Sequence, residues 1–141
     1  MKFTLLAIGK MRGPDAELCE EYLKRLKGVL TLRELTAPHA AGEVAALQKA
    51  IPPKAFAVLC DERGKDITSR ELADKLTQWQ ARETVFIIGG ADGVSDGIKK
   101  RADFMLSFGR KTWPHRLARV MLLEQIYRAM QINAGHPYHR D

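Results

Sequence analysis

The 141 residues are 45% hydrophobic and 28% charged, the composition of an ordinary soluble globule. That length suits one domain spanning residues 1–141, burying roughly 68% of its unfolded surface. No apolar run approaches the roughly 18 residues of a membrane span, no secretory leader is evident, and the two cysteines do not make a disulfide framework. A cytoplasmic location is therefore expected. The net charge of +6 is unevenly distributed: residues 1–96 carry 14 Lys/Arg against 14 Asp/Glu, and residues 97–141 carry nine against three. Such asymmetry fits a polyanion met by one end of the sequence, and equally a solvated basic surface.

In chain order, Phe3 to Ile8 is a nearly continuous apolar run, as in a strand buried on both faces. Gly13-Pro14-Asp15 starts a helix whose apolar positions are Leu18, Tyr22 and Leu26, and which ends before Gly28. Val29 to Leu35 alternates, as in a strand near an edge. Thr36 to Gly42 reads as a loop, and Val44, Leu47 and Ile51 mark a short helix closed by Pro52-Pro53. Ala55 to Cys60 is the third strand, followed by a polar turn, Asp61-Glu62-Arg63-Gly64. Thr68-Ser69-Arg70-Glu71 fits a capping box for a helix through Trp79. Thr84 to Ile88 is the most apolar strand and delivers Gly89-Gly90-Ala91-Asp92-Gly93. A short helix over 96–102, a fifth strand over Phe104–Phe108 and a long helix opened by Pro114 complete the chain, with a tail after Gly135. Alternating strands and helices imply one α/β domain with a mostly parallel sheet.

In such sheets ligands bind beyond the carboxyl ends of the strands. Gly89-Gly90-x-x-Gly93 offers backbone N–H groups without obstructing side chains, though a plain turn explains it as well. It has neither the Lys-Ser/Thr of a P-loop nor, at the first strand, a dinucleotide fingerprint. Asp61 and Glu62 are candidate ribose acceptors, with turn chemistry the stronger explanation, and Asp92 before Gly93 is a common turn pair. The long helix has a second apolar stripe, to be covered by a partner subunit or by the monomer's own core. Glu124 on it can pair with Arg128 or act as a base. The histidines lack partners at ligand spacing, so no metal site is expected. His136, Tyr138, His139 and Arg140 can stack on an unpaired base and hold its phosphate, where a disordered tail is the ordinary expectation.

Ile88-Gly89-Gly90-x-x-Gly93, Leu106-Ser107-Phe108 with Thr112-Trp113-Pro114-His115, Arg119-Val120 to Glu124-Gln125-x-Tyr127-Arg128-Ala129, and His136-Pro137-Tyr138-His139-Arg140 together resemble one family. It is the ribosomal RNA large subunit methyltransferase H family of the SPOUT class. The resemblance implies an enzyme that moves a methyl group from S-adenosyl-L-methionine to N3 of a pseudouridine in 23S rRNA of the assembled ribosome. It also implies a homodimer and a C-terminal trefoil knot around the cofactor. By position, Leu59, Gly89, Phe108, Gly109, Arg110, Lys111, Thr112 and Trp113 would contact the cofactor. His139 and Glu124 would serve as base or orienting group. Arg119, Arg128, His136, Tyr138 and Arg140 would meet RNA. Gly109 stands where many members carry a small hydroxyl residue, and the loop between Leu35 and Val44 is short. The competing reading is a non-catalytic rRNA- or ribosome-binding protein using the same basic end.

Overall fold

All five expected strands form in a computed structural model of the chain, which describes residues 2–91 and 93–141. They are β1 (Phe3–Ile8), β2 (Leu30–Leu35), β3 (Phe56–Lys65), β4 (Thr84–Ile88) and β5 (Phe104–Leu106). Their order is β2-β1-β4-β3-β5, and every neighbouring pair is parallel. The helices are α1 (Pro14–Arg25), α2 (Ala40–Ala50), α3 (Ser69–Trp79), α4 (Asp96–Arg101) and α5 (His115–Ala134).

Side chains alternate across a strand, so each central strand feeds two cores. Leu5, Val58 and Phe86 pack with α1, α3 and α5 on one face; Leu6, Leu59 and Ile87 pack with α2 and α4 on the other. Burial on both faces explains why β1 and β4 read as unbroken apolar runs. The edge position expected for the second strand is observed, with Thr31, Arg33 and Glu34 exposed along β2.

Three boundaries differ from the sequence expectation. Asp61–Gly64 is no turn: β3 continues through it to Lys65, because this segment pairs a second time with β5. Leu106 is the partner of both Cys60 and Lys65 across an irregularity in the ladder. Gly64 is required there, since a Cβ would lie 2.5 Å from the Met105 carbonyl oxygen. β5 in turn stops at Leu106, two residues short of Phe108. Finally, α2 begins at Ala40, inside the expected loop, because the His39 ring accepts from the Gly42 amide at 3.1 Å and caps it. The capping box at Thr68 forms with both bonds in place. The turn role of Asp92 lies outside the described residues.

Candidate active site

The carboxyl ends of β3, β4 and β5 open into one cleft of about 730 Å³, within the size range of small-molecule sites. The end of β4 supplies its floor. Gly89 lies so close to the following loop that a Cβ would stand 2.6 Å from Val94 Cγ1 and 2.9 Å from the Gly93 carbonyl oxygen. Only glycine fits, and it leaves the backbone bare. The opposite wall is the loop after β5, with Phe108, Gly109, Lys111, Thr112 and Trp113.

That loop is braced by its own side chains. The Ser107 hydroxyl, 5% exposed, donates to the Gly109 carbonyl at 2.6 Å. Gly109 has φ +99°, a conformation that strains any other residue. The Trp113 indole donates to the Phe108 carbonyl at 3.1 Å, closing the loop on itself. Thr112 donates to Glu62 at 2.5 Å and so ties the loop to β3. Among the described residues the amide groups of 108–113 make no backbone hydrogen bond, so they are available to a ligand.

Of the eight expected cofactor residues, six line this cleft: Gly89, Phe108, Gly109, Lys111, Thr112 and Trp113. Leu59 is fully buried beneath it in the core shared with α2 and α4. Arg110 faces an adjoining cleft beside Glu62, Gly64 and Asp66. Glu62, Asp61 and Lys99 also line the main cleft. Both carboxylates are candidates in the sequence by their place after the third apolar run; they lie within β3, which continues to Lys65. Cys60 lies on the same wall, and burial pushes its thiol up to about 12, which leaves it a poor nucleophile.

The tail is ordered against α5. Four donor contacts converge on the Glu124 carboxylate. Arg128 contributes Nη2 at 2.9 Å and Nε at 3.2 Å, Tyr138 its hydroxyl at 2.7 Å, and Gln125 its amide at 3.2 Å. Arg128 also lies over the Tyr138 ring, 4.9 Å from its centroid, and the Tyr127 ring meets Tyr138 edge-on at 4.8 Å. Burial, together with the bond to Glu124, raises the Tyr138 phenol above its ordinary range, so it stays protonated. His139 has both ring nitrogens engaged: Nδ1 is 3.1 Å from Arg128 Nη1, and Nε2 is 2.8 Å from Asp141 Oδ1. A guanidinium only donates, so Nδ1 accepts and Nε2 carries the proton. Neither expected base has a free acceptor position in this arrangement. His136 and Arg140 are exposed at the end of the same segment.

Arg119 is a correction. Expected to face RNA, it is 1% exposed, with Nη1 on Glu34 at 2.5 Å and Nη2 on the Gly9 carbonyl at 3.0 Å. It fixes α5 to the ends of β1 and β2 and cannot reach a phosphate from there. Burial works against the Glu34 carboxylate, but the Met11 amide and the Arg119 guanidinium outweigh it and hold it below the usual range.

Groups of three or more metal-ligating side chains are absent among the described residues, and no helix of these is long and apolar enough to cross a membrane. Comparison with known proteins gives consistent results. A family model described as "Predicted SPOUT methyltransferase" matches residues 1–139. Two proteins named ribosomal RNA large subunit methyltransferase H are similar over the full length. That of Rhodospirillum centenum is 47% identical over 151 residues, covering 99% of each chain. That of Paracoccus denitrificans is 44% identical over 155 residues, covering 100% of each. Among solved structures, a probable methylase family protein from Haemophilus influenzae superposes with a TM-score of 0.62 at 10% identity, covering 99% of this chain and 70% of that one. With a cleft at the strand ends, a family match along nearly the whole chain and full-length relatives, the chain belongs to the SPOUT methyltransferase family.

Proposed function

We propose that the whole chain acts as one catalytic domain that methylates N3 of a pseudouridine in 23S rRNA of the assembled ribosome, with S-adenosyl-L-methionine as methyl donor. The observation that carries this is the cleft itself. A bare Gly89 floor faces a loop whose amides are unpaired, beside Asp61 and Glu62, which can accept from ribose hydroxyls. Phe108 and Ile88 add apolar surface for a flat base. When bound, the donor supplies a methyl sulfonium that is already electrophilic. The protein's share is alignment, which can supply roughly 7–11 kcal/mol, and handling of the N3 proton.

Transfer of that methyl group to the N3 lone pair would leave the donor as a neutral thioether. The proton on N3 must go elsewhere. Tyr138 already donates to Glu124, so its oxygen can accept from N3–H while its own proton passes to the carboxylate. His139 then orients Arg128, and through it Glu124. His136, Arg128 and Arg140 supply phosphate and base contacts.

Two further features follow from the resemblance. A second copy would cover the groove of about 560 Å³ lined by Leu18, Tyr22, Phe108, Val120, Met121 and Glu124, which accounts for the second apolar stripe of α5. The trefoil knot would involve the chain after β5, where Leu106 pairs with both Cys60 and Lys65.

Titration calorimetry with S-adenosyl-L-methionine tests the reading. Saturable one-site binding is the expected result, weakened at least tenfold by Glu62→Ala. Absence of binding, with ribosome affinity intact, would favour the non-catalytic binding protein.

A further inference from the structure

The tail ends in an ion pair that the helix it joins does not explain. Arg70 occupies the first turn of α3, directly after the Thr68 cap and Ser69. A cation there opposes the helix dipole, and acidic residues are the favoured choice. The partner of Arg70 is instead 71 residues away: its Nε lies 3.0 Å from both carboxylate oxygens of Asp141, and its Nη2 2.8 Å from Oδ2. An ordinary surface pair contributes little, but this one is bidentate and continues inward. Asp141 Oδ1 accepts from His139 Nε2, His139 Nδ1 accepts from Arg128, and Arg128 holds Glu124 by two bonds. The outer pair is exposed, 58% at Arg70 and 68% at Asp141, whereas the His139 side chain is only 11% exposed. The same end of α3 is bolted to α5 by Ser69, whose hydroxyl donates to Gln125 at 2.6 Å.

We propose that Arg70 and Asp141 are positioning residues that clamp the tail to α3, fix the His139 tautomer, and through Arg128 hold Glu124 and Tyr138 in the geometry for the reaction. This rests on the methyltransferase reading given above. The logic is that of a carboxylate orienting an imidazole. Without an acceptor at Nε2, nothing selects the ring form whose Nδ1 can take the Arg128 proton. Arg128 then loses one of the contacts that hold it in register.

The test uses the full chain as wild type, Arg70→Gln and the charge swap Arg70→Asp with Asp141→Arg, with His139→Gln for assignment. Arg70 and Asp141 are both exposed, so thermal unfolding should be unchanged. The first readout is the ¹⁵N spectrum of the His139 imidazole, assigned by its loss in His139→Gln. Wild type should show the form protonated at Nε2, and Arg70→Gln a mixture of the two forms. The swap should restore the ion pair but not the tautomer, because an arginine at 141 cannot accept from Nε2–H. The second readout is single-turnover methylation at saturating ribosomes. It should fall about tenfold in Arg70→Gln and stay low in the swap, short of the roughly hundredfold that a 1 Å misplacement can cost.

Full recovery of rate and tautomer in the swap would overturn the proposal, since a pin of any polarity would then suffice. So would an unchanged imidazole spectrum in Arg70→Gln. If wild type transferred no methyl group at all, the functional reading would fail. The spectra alone would then decide for or against the clamp.

Discussion

Gly89 carries the cleft more than any charged residue does, because its lack of a side chain is what brings β4 and its following loop together. In Gly89→Ala the new methyl group would meet Val94 Cγ1 at 2.6 Å and a carbonyl oxygen at 2.9 Å, so the loop must move. We predict a folded protein whose affinity for S-adenosyl-L-methionine drops at least tenfold by calorimetry; an unchanged affinity would remove Gly89 from the site. Arg119 makes the opposite kind of prediction. The Arg119 side chain is only 2% exposed, so Arg119→Ala empties a buried site and leaves the Gly9 carbonyl without its donor, which should cost about 2–3 kcal/mol in denaturant unfolding. The salt dependence of ribosome binding should not change, as a phosphate contact would require.

At the scale of elements, α5 and its tail behave as one unit anchored at both ends, by Arg119 at the start and by Asp141 on α3 at the finish. Arg70 and His139 hold the Asp141 carboxyl below its ordinary 3.8, at about 2. A carboxylate depressed on folding contributes order that is complete above the unfolded value and is lost as pH falls through the folded one. The part of tail order that depends on the Arg70–Asp141 pair, followed by the Asp141 carboxyl resonance, should therefore be complete above about pH 4 and fade between there and about pH 2. In Asp141→Asn it should already be reduced at neutral pH. Equal tail order in the two proteins at pH 7 would contradict this.

The same elements show what a sequence can and cannot disclose. The apolar runs of β1 and β4, the box at Thr68 and the Gly135 stop each carry a local signature, and each forms as expected. The strand at Asp61–Lys65 has no such signature. Its polar residues are held by pairing with Leu106, more than forty positions away, and nonlocal pairing overrides weak β propensity. The site divides likewise. Gly89 and the 108–113 loop could be marked by motif, whereas the burial of Arg119 depends on Glu34, 85 residues distant. The Arg70–Asp141 pair, 71 residues apart, is equally silent in the sequence.

For the molecule as a whole, the +6 charge and the uncovered groove point to two partners. Met121 lies in that groove with Leu18 and Val120, and a lysine there would bury a charge against a second copy. For the proposed dimer, Met121→Lys should shift sedimentation toward monomer without lowering thermal stability of the chain itself; a monomeric wild type would overturn the dimer, and a variant as dimeric as wild type would move the interface elsewhere. The nine basic residues of 97–141 should make ribosome binding fall with salt, by about 0.7–0.9 log units per phosphate contact. Catalysis is the claim on which the rest depends. The direct test is incubation of the protein and isotopically labelled S-adenosyl-L-methionine with ribosomes lacking the modification, followed by mass analysis of the digested 23S rRNA. Label is expected in one N3-methylated pseudouridine, with an equal amount of S-adenosylhomocysteine; unlabelled rRNA with no S-adenosylhomocysteine would show that the chain is not this enzyme.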